Sequence, residues 1–273
     1  MTLSRRSLLR TATALAAAGS VAAPGAAMAR RSGRISPEAI SIQLYTLRDQ
    51  LAADVAGTLR DVAEIGYRSV ETAGTHGRSP AEFRAILDRV GLRATSGHHG
   101  LDRDVERIIA DAHVLGHRSV VVPYADFATA DEWRAFADRL NDAGRRCRDA
   151  GLVFGYHNHD QEFAEVDGVR PFDVLLERTD PRLVGLELDL YWVAHAGQDP
   201  VALVEAQRDR IDRFHVKDRA ADGAMADPGT GTMDFPAIFA RGAVREYVVE
   251  HDNSPDPLRT ARVGHQYLSE VRW

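Results

Sequence analysis

The sequence predicts an α/β fold, a (β/α)8 barrel built as a single domain over residues 37–273. Three observations predict it. Short apolar runs recur at intervals of roughly 25 to 34 residues, about the length of one strand–helix unit. The stretches between them place apolar residues at i, i+3 and i+4, the spacing of an amphipathic helix. The first apolar run is followed by Gln43-Leu44-Tyr45-Thr46, with none of the glycines a phosphate loop needs, and this sets aside the doubly wound open sheet.

The elements follow in order. Arg5, Arg6 and Arg10 precede an Ala- and Leu-rich run ending near Ala27-Met28-Ala29, the pattern of a charged n-region, a short h-region and a small-residue cleavage site. Ser4-Arg5-Arg6-Ser7-Leu8-Leu9 is similar to a twin-arginine signal. Residues 1–29 are therefore expected to export the folded protein to the periplasm or medium and to leave no stable membrane anchor. Residues 30–36 read as a polar tether. Strands are expected at 40–45, 69–72, 93–98, 119–123, 152–157, 183–189, 213–217 and 247–251. Helices are expected at 54–65, 80–90, 101–115 and 131–150. Gly66, Gly91, Gly116 and Gly151 follow those helices, where a left-handed cap residue belongs.

Composition narrows the function. The chain has 273 residues, 44% hydrophobic and 27% charged, ordinary for a globular protein. Cys147 is the one cysteine, which excludes a disulfide scaffold and thiolate zinc sites. The formal charge of −6 becomes −9 once a leader carrying three arginines and no acid is removed. Such a surface disfavours nucleic acid and suits a small-molecule partner. A homo-oligomer stays open.

Barrel chemistry sits at the C-terminal strand ends, and residues two apart share a face there. Strand five ends His157-Asn158-His159, strand six Glu187-Leu188-Asp189, strand seven His215-Val216-Lys217 and strand eight Glu250-His251-Asp252. His157, Asp189, His215 and Glu250 offer two imidazoles and two carboxylates, a ligand set for Mn²⁺, Zn²⁺, Co²⁺ or Mg²⁺. A buried salt-bridge network is the alternative. Glu187, one layer deeper, is expected to orient Asp189 or a lysine. Gln43, Tyr45, Glu71, Ser96 and His98 stand at the ends of strands one to three, where they either hydrogen-bond a polyol or cap a neighbouring helix. Trp192 and Tyr191 form either an apolar wall for a sugar face or core packing. The segment 229–235 reads as turn chemistry, with Asp234 capping a helix that contains Pro236.

Together, Ile42-Gln43-Leu44-Tyr45, Gly155-Tyr156-His157-Asn158-His159-Asp160, Leu188-Asp189-Leu190-Tyr191-Trp192, Phe214-His215-Val216-Lys217-Asp218 and Val249-Glu250-His251-Asp252 resemble the sugar phosphate isomerase/epimerase family of xylose isomerase-like TIM barrels. The resemblance implies one divalent ion, Mn²⁺ foremost, on His157, Asp189, His215 and Glu250. It also implies proton abstraction beside a carbonyl through an enediolate, and candidates for proton transfer are Glu250, His159, His98 and Lys217. His159 and Lys217 are expected to contact substrate as well. His157 stands where many epimerases of the family carry a metal-binding glutamate base, so a two-base epimerisation loses one base. The expected substrate is an unphosphorylated sugar, and the expected reaction isomerisation or epimerisation. The alternatives are a lyase or hydratase reaction on a 3-keto-glycoside and, outside catalysis, an exported sugar-binding protein.

Overall fold

The computed structural model describes residues 33–273. The leader expected at 1–29 lies outside them. Within the stretch read as a tether, Ile35 is buried in the core and the Gly33 and Trp273 backbones hydrogen-bond. Among the described residues, no helix is long and apolar enough to cross a membrane.

Eight parallel strands close on themselves: β1 (Ile40–Gln43), β2 (Ser69–Thr72), β3 (Arg93–His98), β4 (Ser119–Val122), β5 (Val153–His157), β6 (Gly185–Asp189), β7 (Ile211–Val216) and β8 (Glu246–Val249). Each pairs with its neighbour in sequence, and β8 pairs with β1 to seal the ring. The predicted barrel is the observed one. A short antiparallel hairpin, Asp218–Arg219 with Met225–Ala226, follows β7.

Strand alternation divides the barrel by polarity. Ile42, Val70, Val120, Phe154, Leu188, Val216 and Val249 are buried in the apolar clusters. The intervening positions Ser41, Gln43, Ser69, Glu71, Ser96, His157, Glu187, Asp189, Arg213, His215 and Glu246 are buried as well. Barrel interiors are usually filled by branched aliphatics; this one is filled by polar and charged groups, which must find partners inside or in a ligand.

Most strands differ from the sequence reading by one or two residues at an end, and two boundary differences have a side-chain cause. Strand one stops at Gln43, because its side-chain amide oxygen accepts the Tyr45 backbone N–H at 3.0 Å and turns Leu44–Leu47 into a 3₁₀ helix. Tyr45 therefore does not share a strand face with Gln43. The third predicted helix pattern, 101–115, starts only at Val105, where the Asp104 side chain caps it. Helix Ala130–Asp149 opens on a Thr129–Glu132 capping box and buries Trp133, Phe136, Ala137, Leu140 and Cys147 along one face. A Cβ at Gly144 would stand 2.6 Å from the Leu183 carbonyl oxygen, so glycine is what lets this helix approach the barrel. Asp234 caps helix Phe235–Phe239 as expected, accepting from the Ala237 N–H.

Candidate functional site

Register assembles the site. Asp189 of β6 lies beside His215 of β7, and His157 of β5 lies beside Glu187 of β6. The register shifts between Val70 and Glu71 and again between Leu186 and Glu187. Such irregularities re-aim side chains next to sites, and here they bring two glutamates to the barrel axis. The His98 Nε2 lies 3.1 Å from Glu71 Oε1 and 2.7 Å from Glu187 Oε1. The His215 Nε2 lies 2.8 and 2.9 Å from the same two oxygens. Glu187 thus contacts histidines and Arg213 rather than Asp189 or Lys217.

One ligand atom each from His157, Asp189, His215 and Glu250 falls within 4.8 Å of the others. A second, overlapping set is His98, His157, Glu187 and His215. The first set suits a divalent cation: it offers two nitrogens and two oxygens, and His157 Nε2 faces Asp189 Oδ2 at 3.8 Å. Lys217 Nζ lies 3.0 Å from Asp189 Oδ2, 2.7 Å from Glu250 Oε2 and 2.7 Å from Asp252 Oδ1. A cation held there shares Asp189 and Glu250 with this ammonium.

Burial and neighbouring charges set the protonation pattern. Burial lowers the pKa of His98, but Glu71 and Glu187 outweigh it and raise it to about 9. Burial likewise opposes the charge on His215, and Glu187 and Glu250 push its pKa well up. His157 is carried down to about 3 by burial and by charge on His215. His159 falls to about 2 through burial, with His157 and Lys217 adding to it. His98 is thereby held charged and His159 neutral, and a cation on His215 would displace the proton there. Burial raises the Asp189 carboxyl to about 6 against the pull of Lys217.

A cavity of about 430 Å³ opens over this set, and Tyr45, His98, Tyr124, His157, His159, Glu250, Asp252 and Asn253 are among its walls. A larger groove of about 790 Å³ runs along the flank, lined by Arg134, Arg170, Asp173 and Arg178. None of the strand-end groups reaches it, so the chemistry belongs to the smaller cavity.

The residues singled out in the sequence separate into two groups. His98, His157, His159, Glu250 and Tyr45 line the cavity, with Asp189, His215 and Lys217 buried among them. Gln43, Glu71 and Ser96 are engaged elsewhere: Gln43 Nε2 donates to Glu71 at 2.8 Å and Ser96 Oγ donates to Glu71 at 2.6 Å. None of the three lines the cavity. Trp192 sits in helix Leu190–His195 with its ring 5.4 Å from the His159 ring, backing the histidine rather than walling the cavity. Tyr124 and Glu162 are not read from the sequence, and Asp252 is named there without a role. Asp252 holds Lys217, and its place two beyond Glu250 was the available signal. Tyr124, just after β4, is exposed at the rim. Glu162 is buried under His159, accepting from the His159 N–H at 2.9 Å and the Tyr156 hydroxyl at 2.5 Å.

The profile described as xylose isomerase-like TIM barrel matches residues 59–243. The chain belongs to that family. Among curated relatives, this xylose isomerase-like barrel is 29% identical to the rhizopine catabolism protein MocC of Rhizobium meliloti, over 78% of this chain and 80% of the relative. It is 26% identical to an inosose dehydratase of Geobacillus kaustophilus, over 78% of this chain and 86% of the relative. A solved sugar phosphate isomerase/epimerase from Parabacteroides distasonis superposes with a TM-score of 0.75 at 28% identity, covering 85% of this chain and 98% of that one. These relatives support an enzyme acting on a sugar.

Proposed function

We propose that the barrel mouth removes the proton next to the carbonyl of an unphosphorylated keto-sugar or cyclitol ketone and then expels an oxygen substituent from the adjoining carbon. The observation that carries this reading is one cavity lined by His98, His157, His159 and Glu250, with Asp189, His215 and Lys217 buried against its floor. His157, Asp189, His215 and Glu250 would hold a divalent cation, Mn²⁺ by preference, which would supply Lewis acidity at the carbonyl. His159 accepts the proton, since it lines the cavity beside His157 and His98. His98 serves as the acid, because Glu71 and Glu187 hold its Nε2 and leave Nδ1 to protonate the departing oxygen. Lys217, fixed by Asp252, keeps Glu250 in place.

The inosose dehydratase relative supports elimination. Isomerisation or epimerisation is the second reading, favoured by the sugar phosphate isomerase/epimerase neighbour and by Glu250 on the cavity wall as another base. The twin-arginine-like leader supports an exported protein, away from phosphorylated sugars. The test is proton NMR of the Mn²⁺-loaded protein in D₂O with inosose and with methyl 3-keto-β-glucoside. Loss of water or methanol is the expected result. Deuterium uptake with the substituent retained favours the second reading, and neither change on ketones that bind refutes both. His159→Phe should lower turnover about 10²-fold or more.

A further inference from the structure

Two cavity residues have no part in that chemistry. Tyr45 and Tyr124 are 44% and 55% exposed, the two aromatic side chains among the exposed large apolar residues of the described chain. Each leaves the barrel two residues past a strand end, Tyr45 after β1 and Tyr124 after β4. Those strands stand three places apart around the eight-stranded ring, so the two rings face the opening from different sides. Both line the cavity that holds His98, His157 and His159.

Each ring is also held. The Arg48 guanidinium lies 4.4 Å from the Tyr45 ring centroid, and Arg48 Nη1 donates to the Tyr45 carbonyl at 3.1 Å. Arg48 is not part of the cavity wall, so it braces the ring from outside. Tyr124 meets the His159 imidazole edge to face, with centroids 5.3 Å apart at 75°. A braced aromatic ring open to solvent offers a flat face of negative π density. The C–H face of a pyranose, apolar and weakly positive, complements it, as does the face of an aryl group. The reacting ketone has to reach the donor set at the cavity floor, which leaves the rim for whatever the reacting ring carries. A cavity of about 430 Å³ lies within the range that encloses ligands of more than one ring.

We propose that Tyr45 and Tyr124 form an outer subsite that stacks a second ring, sugar or aryl, attached to the ring that reacts. The proposal rests on the reading of the cavity floor as the reacting end. It is tested by comparing phenyl 3-keto-β-glucoside with methyl 3-keto-β-glucoside on the wild type, Tyr45→Ala, Tyr124→Ala and the double variant. The double variant should raise KM for the phenyl substrate at least tenfold more than for the methyl substrate. Tyr45→Phe and Tyr124→Phe, which keep the rings, should preserve the wild-type preference. Equal effects on the two substrates, or none on either, overturn the subsite. Binding of the unoxidised phenyl and methyl β-glucosides, measured by calorimetry, separates this from the catalytic reading. If neither ketone turns over but phenyl β-glucoside still binds through the two rings, the subsite stands and the catalytic reading falls. If the ketones turn over and the alanine variants show no selective loss, the subsite falls alone.

Discussion

Arg213 and Lys217 sit on the same face of one strand and its extension, and each gathers carboxylates, yet they build different things. Arg213 lies within 4 Å of Glu71, Glu187, Asp212 and Glu246 and donates to Ser119 Oγ at 2.7 Å. It is sealed in the barrel and lines neither the cavity at the mouth nor the groove on the flank. Lys217 holds Asp189, Glu250 and Asp252, and the last two of these open onto the cavity. The guanidinium is a planar, permanently charged fork that several acceptors can share; the ammonium is a point charge that another cation can replace. The lower cluster therefore holds the fold and, through Glu71 and Glu187, the histidines His98 and His215 above it, while the upper one can exchange a partner. The difference between structure and function in this barrel lies in access and in the replaceability of the cation, since the charges are alike.

The largest expected effect breaks the lower cluster. Arg213→Met leaves buried carboxylates unpaired and should cost about 3–5 kcal/mol, read by urea unfolding. Lys217→Met with Mn²⁺ present should cost much less, because the ion neutralises the same carboxylates. Equal losses would erase the distinction between the two clusters.

Next is Glu162, which supports His159 from below. Burial raises its pKa to about 7, against the hydrogen bonds from Tyr156 and His159. The folded protein then holds a proton that the unfolded chain has released, so stability attributable to this group falls as pH rises from about 4.5 to about 7. The span corresponds to roughly 3 kcal/mol at most. Glu162→Gln should remove this slope from the pH dependence of unfolding; an unchanged slope would mean Glu162 is ionised throughout.

The smallest effect sharpens the comparison at the upper cluster. With the competing ammonium gone, Lys217→Met should bind Mn²⁺ about tenfold more tightly by calorimetry while losing turnover. Weaker binding would show that Lys217 supports the cation site instead of sharing it.

Much of this was legible in the sequence, for definable reasons. Two-residue alternation at strand ends brings His157, Asp189, His215, Lys217 and Glu250 together because it holds along each strand, even past the register shift before Asp189. Alternation names a face and not a partner. It leaves Glu71 as a polyol contact or a helix cap and Glu187 as a support for Asp189 or a lysine, whereas both turn onto His98 and His215 across the barrel. Strand one was read two residues too long because the Gln43 side chain ends it through a local hydrogen bond that hydropathy does not register. Tyr124 and Glu162 lie in loops, where no period exists to be read. The barrel depends on repeats of polarity; the rim and the support beneath His159 depend on single contacts.

The account turns on the upper cluster being a cation site and the lower one a closed ion-pair network. Elemental analysis of the purified wild type, Asp189→Ala and Glu250→Ala tests this most directly. The account predicts one divalent ion per wild-type chain and almost none in the folded variants. Metal content undiminished in both variants, or a fully active wild type free of metal, would contradict it.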